Sequence, residues 1–290
     1  MRYLLAPFLL ITLLVASIPA EDTKFMRIDR WRGKAMTLDT AIVRYEKNGT
    51  TVDLVSAIHI GQRSYYKDLN TKFKDYDVVL YELVGPKGSK PDKDRGTDSE
   101  NPIHMVQELA KTFLGLEHQL ALIDYTSENF VHADMSPLEL FAKMSKTGDT
   151  PFTLFLSTWA DMIRQQNLEG QKPKFKNAND IITDEELMVG LLQALLTEKG
   201  SPTLRRYLAL QLGENMDEQM RAFGGPLGSL LIKDRNEACF KVLDKQIAAG
   251  KKRIAIFYGA GHMPDMETRL IDGRDFKKRS VEWLVAWELR

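Results

Sequence analysis

The sequence predicts an α/β protein: a mixed β-sheet core with flanking helices and a large all-helical insertion. Three observations predict it. Two nearly continuous apolar runs, Asp77-Val-Val-Leu-Tyr-Glu-Leu83 and Arg253-Ile-Ala-Ile-Phe-Tyr-Gly259, suit strands buried on both faces. A helical pattern at 63–73 separates the first of these from an earlier strand-like run, Thr51-Val-Asp-Leu-Val-Ser-Ala-Ile-His59. From about 102 to 223 helical periodicity recurs and no clear strand pattern appears.

The bulk properties set bounds. With 290 residues, 43% hydrophobic and 28% charged, the chain can build one sizeable core. Forty basic residues balance forty acidic ones, so nothing global points to nucleic acid or an anionic membrane. Residues 1–20 have the form of a secretory signal: Arg2, an apolar run from Leu4 to Ala16, then Ser17-Ile-Pro-Ala20. That run is short of the about 20 residues a spanning helix needs. The expectation is therefore an exported, periplasmic or secreted, single domain over 21–290, with no integral span after cleavage. An uncleaved membrane anchor is the alternative. Cys239 is the sole cysteine, so no intrachain disulfide forms, and it reads as a small buried helix residue.

Along the chain, 25–31 and 36–45 alternate apolar and polar residues, as half-exposed antiparallel strands do. Asn48-Gly49 then marks a tight hairpin into the strand at Thr51, because both residues tolerate positive φ; with Thr50 they also form a glycosylation sequon. The helix at 63–73, with Tyr66, Leu69 and Phe73 on one side, joins two strands expected to be parallel neighbours. A polar loop spans 85–102. Helices are expected at 103–122, 137–144, 152–167, 184–196, 202–212 and 214–223, with starts at Ser136-Pro137 and Thr183-Asp184 and a polar linker at 170–179. After a glycine-rich loop at 224–228 come a helix at 229–249, the strand at Arg253 and a closing strand at 281–289.

Six polar residues stand out. His59 and His262 each follow a strand, where open α/β sheets place their chemistry. Glu82 is the only charge within Val78–Val84, and burying a carboxylate costs several kcal/mol unless it is paired or bound to metal. Arg235 is the sole charge on a stripe formed by Leu231, Ala238, Cys239 and Val242. A buried salt bridge to Glu82 or Asp134 would explain it structurally, and stabilisation of an anionic transition state would explain it functionally. His132 and Asp134, just before a helix, could reach the same place from its roof, although Asp134 also suits helix initiation. His104 and His118 read as surface residues on the polar side of the 103–122 helix. His59, Glu82 and His262 could bind a divalent metal with positions left for water and substrate, or act without metal as general base and electrostatic partner. No phosphate loop, zinc-finger spacing, His-Glu-x-x-His helix or Gly-x-Ser-x-Gly elbow is present.

Ser56-Ala-Ile-His59 and Gly259-Ala-Gly-His262 resemble the paired Gly-x-x-His motifs of the TraB/PrgY–GumN–TIKI superfamily, related to erythromycin esterases and ChaN-like haem-binding proteins. Tyr81-Glu82-Leu83 resembles its glutamate strand, and Asp234-Arg235-Asn236 its Arg-Asn helix. Ala121-Leu-Ile-Asp-Tyr125 and Val131-His-Ala-Asp-Met135 are similar to segments of bacterial members. Ser56 stands where the family usually has glycine. The resemblance, over roughly 51–267, implies a ChaN/erythromycin-esterase-like sheet with a helical insertion and a metal-dependent hydrolase or protease activity. The combined expectation is an exported metal-dependent peptidase or amidase acting on a peptide or small molecule. The alternatives are a metal-free esterase-like hydrolase and a non-catalytic haem- or ligand-binding protein or peptide-signal regulator.

Overall fold

The computed structural model describes residues 24–91, 113–147, 182–196, 200–222 and 229–290. The expected signal, His104, the helix at 152–167, the linker at 170–179 and the 224–228 loop lie outside them.

Two tight hairpins open the sheet. Strands β1 (Met26–Trp31) and β2 (Lys34–Lys47) turn at Arg32-Gly33, and β2 turns into β3 (Thr50–Ala57) at Asn48-Gly49. All four turn residues have positive φ, from 49° to 80°, the twist that a two-residue hairpin requires. Beyond β3 come β4 (Ile60–Gly61), α1 (Arg63–Phe73), β5 (Val78–Tyr81), β6 (Glu117–His118), the single turn α2 (Gln119–Leu122) and β7 (Phe130–His132). Three helices follow, α3 (Pro137–Thr147), α4 (Asp184–Leu196) and α5 (Pro202–Ala222). A π-helical segment, Ser229–Asp234, leads into α6 (Arg235–Ala248), β8 (Arg253–Gly259), α7 (Met263–Arg274) and β9 (Lys277–Glu288).

Seven strands form the main sheet in the order β1-β2-β3-β8-β5-β7, with β9 along the other edge of β2. The β1, β2, β3 and β9 pairings are antiparallel, whereas β3, β8, β5 and β7 run parallel. The strands flanking α1 are thus parallel, as expected, but they are not neighbours. Strand β8 lies between them. Its alternate residues Ile254, Ile256 and Tyr258 enter one core cluster and Ala255 and Phe257 the other, so it needs a partner on both edges. Helix α1 covers one face through Tyr65, Tyr66, Leu69 and Phe73; α6 and α7 cover the other through Cys239, Phe240, Leu243, Met263, Met266 and Leu270.

The segment 102–223 departs from expectation at its start. Residues 117–122, expected to be helical, form β6 and one helical turn, and β7 joins the main sheet beside β5. Three residues are too few to show a strand period; β7 is defined by its main-chain pairing. The expected helices 202–212 and 214–223 are one helix, α5, and its Gly213 lets the helix lie against Ile28 and Leu38, where a Cβ would come within 2.8 Å of Ile28. The two expected starts are capping boxes: Glu139 N–H donates to Ser136 Oγ (3.2 Å) while Ser136 N–H donates to Glu139 Oε2 (2.8 Å), and Thr183 and Glu186 repeat the pattern. Among the described residues no helix is long and apolar enough to cross a membrane.

Asp77, just before β5, accepts main-chain hydrogen bonds from Lys252 (2.9 Å) and Arg253 (3.0 Å) and so ties β5 to the start of β8. These bonds, with the Arg253 guanidinium, hold its carboxyl down to about 2, against an ordinary 3.8. The folded form is favoured where Asp77 is ionised, above about pH 3.8, and that contribution is lost as the pH falls through about 2. Asp77→Asn is expected to flatten the dependence of unfolding free energy on pH across this interval, measured by urea denaturation; an unaltered slope would contradict the assignment.

Candidate functional site

The four parallel strands end on one side of the sheet, and each end delivers a polar group: His59 after β3, Glu82 after β5, Asp134 after β7 and His262 after β8. This is the carboxyl edge at which open α/β sheets hold their ligands. Arg235, the first residue of α6, enters from the flanking face. Its Nη2 lies 2.7 Å from Glu82 Oε1 and 2.5 Å from Asp134 Oδ2, and its Nε donates to Asp134 Oδ1 at 3.0 Å. Glu82 Oε2 accepts the Gly259 N–H at 2.8 Å, and Glu82 Oε1 is 3.5 Å from His262 Nε2.

Gly259 marks where the groups meet. A Cβ there would stand 3.4 Å from Glu82 Oε2, 3.5 Å from His59 Nε2 and 3.9 Å from His262 Cδ2. The structure therefore brings His59, Glu82, Arg235, Asp134 and His262 together. His262 is buried at the base, and His59 is exposed at the mouth.

His132 does not join them. Its Nε2 lies 2.6 Å from the Leu83 carbonyl and its Nδ1 accepts the Gly88 N–H, so the ring fastens the 83–88 loop instead of facing Glu82. Asp134 belongs to the arginine rather than to helix initiation, because Ser136 caps α3. His118 is half-buried rather than on the surface. Burial and the charge of His59 push it down to about 4, and its Nδ1 accepts the Leu120 N–H at the start of α2.

The sequence reading missed the residues behind the histidines. Asn236 Oδ1 lies 2.7 Å from His262 Nδ1, and Gln119 Oε1 lies 3.2 Å from His59 Nδ1. Both amides are buried. Asn236 was signalled only by the resemblance of Asp234-Arg235-Asn236 to an Arg-Asn helix, without a role; Gln119 gave no signal.

Burial pushes the Glu82 carboxyl up, but hydrogen bonding and charge from His262, with the charges of Arg235 and His59, outweigh it and hold the group well below the usual carboxylate range. Burial also pulls the Arg235 guanidinium down, while its bonds to Asp134 and the charge of Glu82 hold it protonated. Two formal carboxylates thus share one guanidinium, leaving a negative charge for a proton or a cation to balance. Two imidazole nitrogens and a carboxylate are donors that divalent first-row ions accept, so the residue types fit such an ion. Among the described residues they do not stand as an assembled ligand cluster. Glu82 is turned towards Arg235 and Gly259.

Cys239 is fully buried with its thiol pushed up by burial, which suits packing and not nucleophilic attack. A cavity of about 420 Å³ lies at the opposite end of the sheet, where its cations pair as Arg44–Asp53, Lys72–Glu282 and Arg253–Asp77. Ser56 Oγ, three residues before His59, is buried with no hydrogen-bond partner among the described residues. An unsatisfied hydroxyl costs about 1–3 kcal/mol. Ser56→Ala is therefore expected to raise stability by about 1 kcal/mol in denaturant titration; a loss of that size would show that the hydroxyl has a partner.

The chain matches no protein-family model, no curated protein and no solved structure significantly.

Proposed function

We propose that the chain is an exported hydrolase of the peptidase or amidase type, of the TraB/PrgY–GumN–TIKI kind and with that superfamily's sheet and helical insertion. The observation that carries the reading is the convergence of two histidines and a glutamate at strand ends around Gly259, beside an arginine shared by two carboxylates. His59, Glu82 and His262 would hold a divalent ion, which supplies a water of lowered pKa when bound. The remaining work belongs to the chain. Arg235 spends Nε and Nη2 on Asp134 and Glu82, and Nη1 has no partner among the described residues. That nitrogen is the donor for the oxyanion that forms as a carbonyl is attacked. Asp134, with its side chain fully buried, fixes the guanidinium plane. A Cβ at Gly259 would only touch Glu82 and His59, at 3.4 and 3.5 Å, so the glycine leaves the space between them open.

A metal-free version has its own support, because both Glu82 oxygens already accept hydrogen bonds and His59 is exposed with Nε2 at the site. His59 is then the general base. Metal analysis separates the two. Protein equilibrated with Mn²⁺ or Zn²⁺ and dialysed is expected to keep about one ion per chain, set by one three-donor site, and His59→Ala and His262→Ala to lose it. Equal content in all three proteins would sink the metal reading. Hydrolysis of amide substrates that survives exhaustive chelation would establish the general-base reading. A haem absorption band on titration, without hydrolysis, would place the protein among ligand binders instead.

A further inference from the structure

Each histidine of the site is clasped twice by one amide residue. Asn236 Nδ2 donates to the His262 carbonyl (3.1 Å) while its Oδ1 meets His262 Nδ1 (2.7 Å). The Gln119 main-chain N–H donates to the His59 carbonyl (2.8 Å) while its Oε1 meets His59 Nδ1 (3.2 Å). The two clasps come from different parts of the chain, one from α6 and one from the start of α2, yet they hold the same pair of atoms. We infer that Asn236 and Gln119 are positioning residues that hold each imidazole with Nδ1 protonated and so turn both Nε2 atoms towards the site.

Asn236 Nδ2 also donates to Asp265 Oδ2 at 2.8 Å, and Asp265 is itself held by Arg269 Nε at 2.6 Å. A carbonyl and a carboxylate can only accept, so the amide cannot flip without setting its oxygen against two acceptors. Its Oδ1 therefore faces the ring, and His262 Nδ1 carries the proton. On the other side Gln119 Nε2 donates to the Tyr125 hydroxyl at 2.8 Å and Oε1 meets His59 Nδ1; a hydroxyl can donate as well as accept, so the Gln119 arm stands on this amide orientation and is the one the NMR test decides. A carbonyl or carboxylate behind Nδ1 is the arrangement that orients histidines presenting Nε2 to a metal. The metal arm of the inference rests on the proposed function; the tautomer arm does not.

The test is ¹⁵N NMR of the imidazoles in metal-free protein above the histidine titration range. In wild type both rings are expected to be Nδ1–H. Gln119→Met should release His59 to a mixture of tautomers, and Gln119→Glu should restore Nδ1–H, because a carboxylate accepts from both the ring and the Tyr125 hydroxyl. Asn236→Ala should release His262; if that variant fails to fold, the Gln119 pair decides. Zn²⁺ affinity is expected to fall about 10- to 100-fold in Gln119→Met and in Asn236→Ala, and to recover in Gln119→Glu. Rings that stay Nδ1–H in the Met and Ala variants, or a Glu variant that does not restore His59, would overturn the inference. Wild-type protein that binds no Zn²⁺ would refute the metal reading of the site, and the tautomers would still decide the roles of the two amides.

Discussion

Replacing Arg235 with methionine is expected to destabilise the protein by about 3–5 kcal/mol, the cost of breaking a buried ion pair from one side. The guanidinium is the common partner of Asp134, whose side chain is fully buried, and of Glu82, whose side chain is 12% exposed. Without it the two carboxylates lose their shared cation, leaving Glu82 with the Gly259 N–H and His262, and Asp134 with the Met135 N–H. In a chain of this size the loss corresponds to a fall in Tm on the order of 10 °C. Thermal melts and urea titration check it. Adding Asp134→Asn to the same chain should recover part of the loss, because one orphaned charge is removed. A single-variant cost below about 1 kcal/mol, typical of exposed pairs, would mean that the triad is solvated.

Glu82→Gln is expected to do the opposite: leave the fold nearly intact and remove the proposed hydrolytic activity. Glutamine keeps one oxygen to accept from Arg235 or Gly259, and Asp134 still holds the guanidinium through two bonds. The site loses its unbalanced negative charge, which is what a cation or an imidazolium at His262 answers. The expected fall in kcat for amide hydrolysis is about 10³-fold, the scale of deleting one preorganised electrostatic group, with a small change in Tm. A Gln variant with wild-type kcat would remove Glu82 from the chemistry and leave it as a structural partner of Arg235.

Much of the site was legible in the sequence because burial exposes anomalies. A glutamate inside an apolar strand, histidines where strands end, and an arginine on an apolar helix stripe each violate the pattern around them, and the fold unites all four. Asp134 was legible as one of two partners an arginine on an apolar stripe would need, and it pairs with Arg235; its alternative role in starting a helix falls to Ser136. His132 was misplaced because its surroundings depend on β7, a three-residue strand recognisable only through pairing with β5. The position of β8 between β3 and β5 was not legible either. Both flanking strands have the right direction for direct pairing, and only the need to cover both edges of the most apolar strand separates them. Asn236 and Gln119 were hidden for a further reason. An amide on a helix looks like surface until the ring it clasps is in place.

The central claim is that His59, Glu82 and His262 face one another to hold a cation, with Arg235 beside them. The most direct measurement is anomalous diffraction from crystals equilibrated with Mn²⁺, collected for wild type and Glu82→Gln. The account predicts one strong peak in the wild type within coordinating distance of His59 Nε2, His262 Nε2 and a Glu82 oxygen, weakened or absent in the variant. A peak elsewhere, or none while both imidazoles keep the present hydrogen bonds, would contradict it.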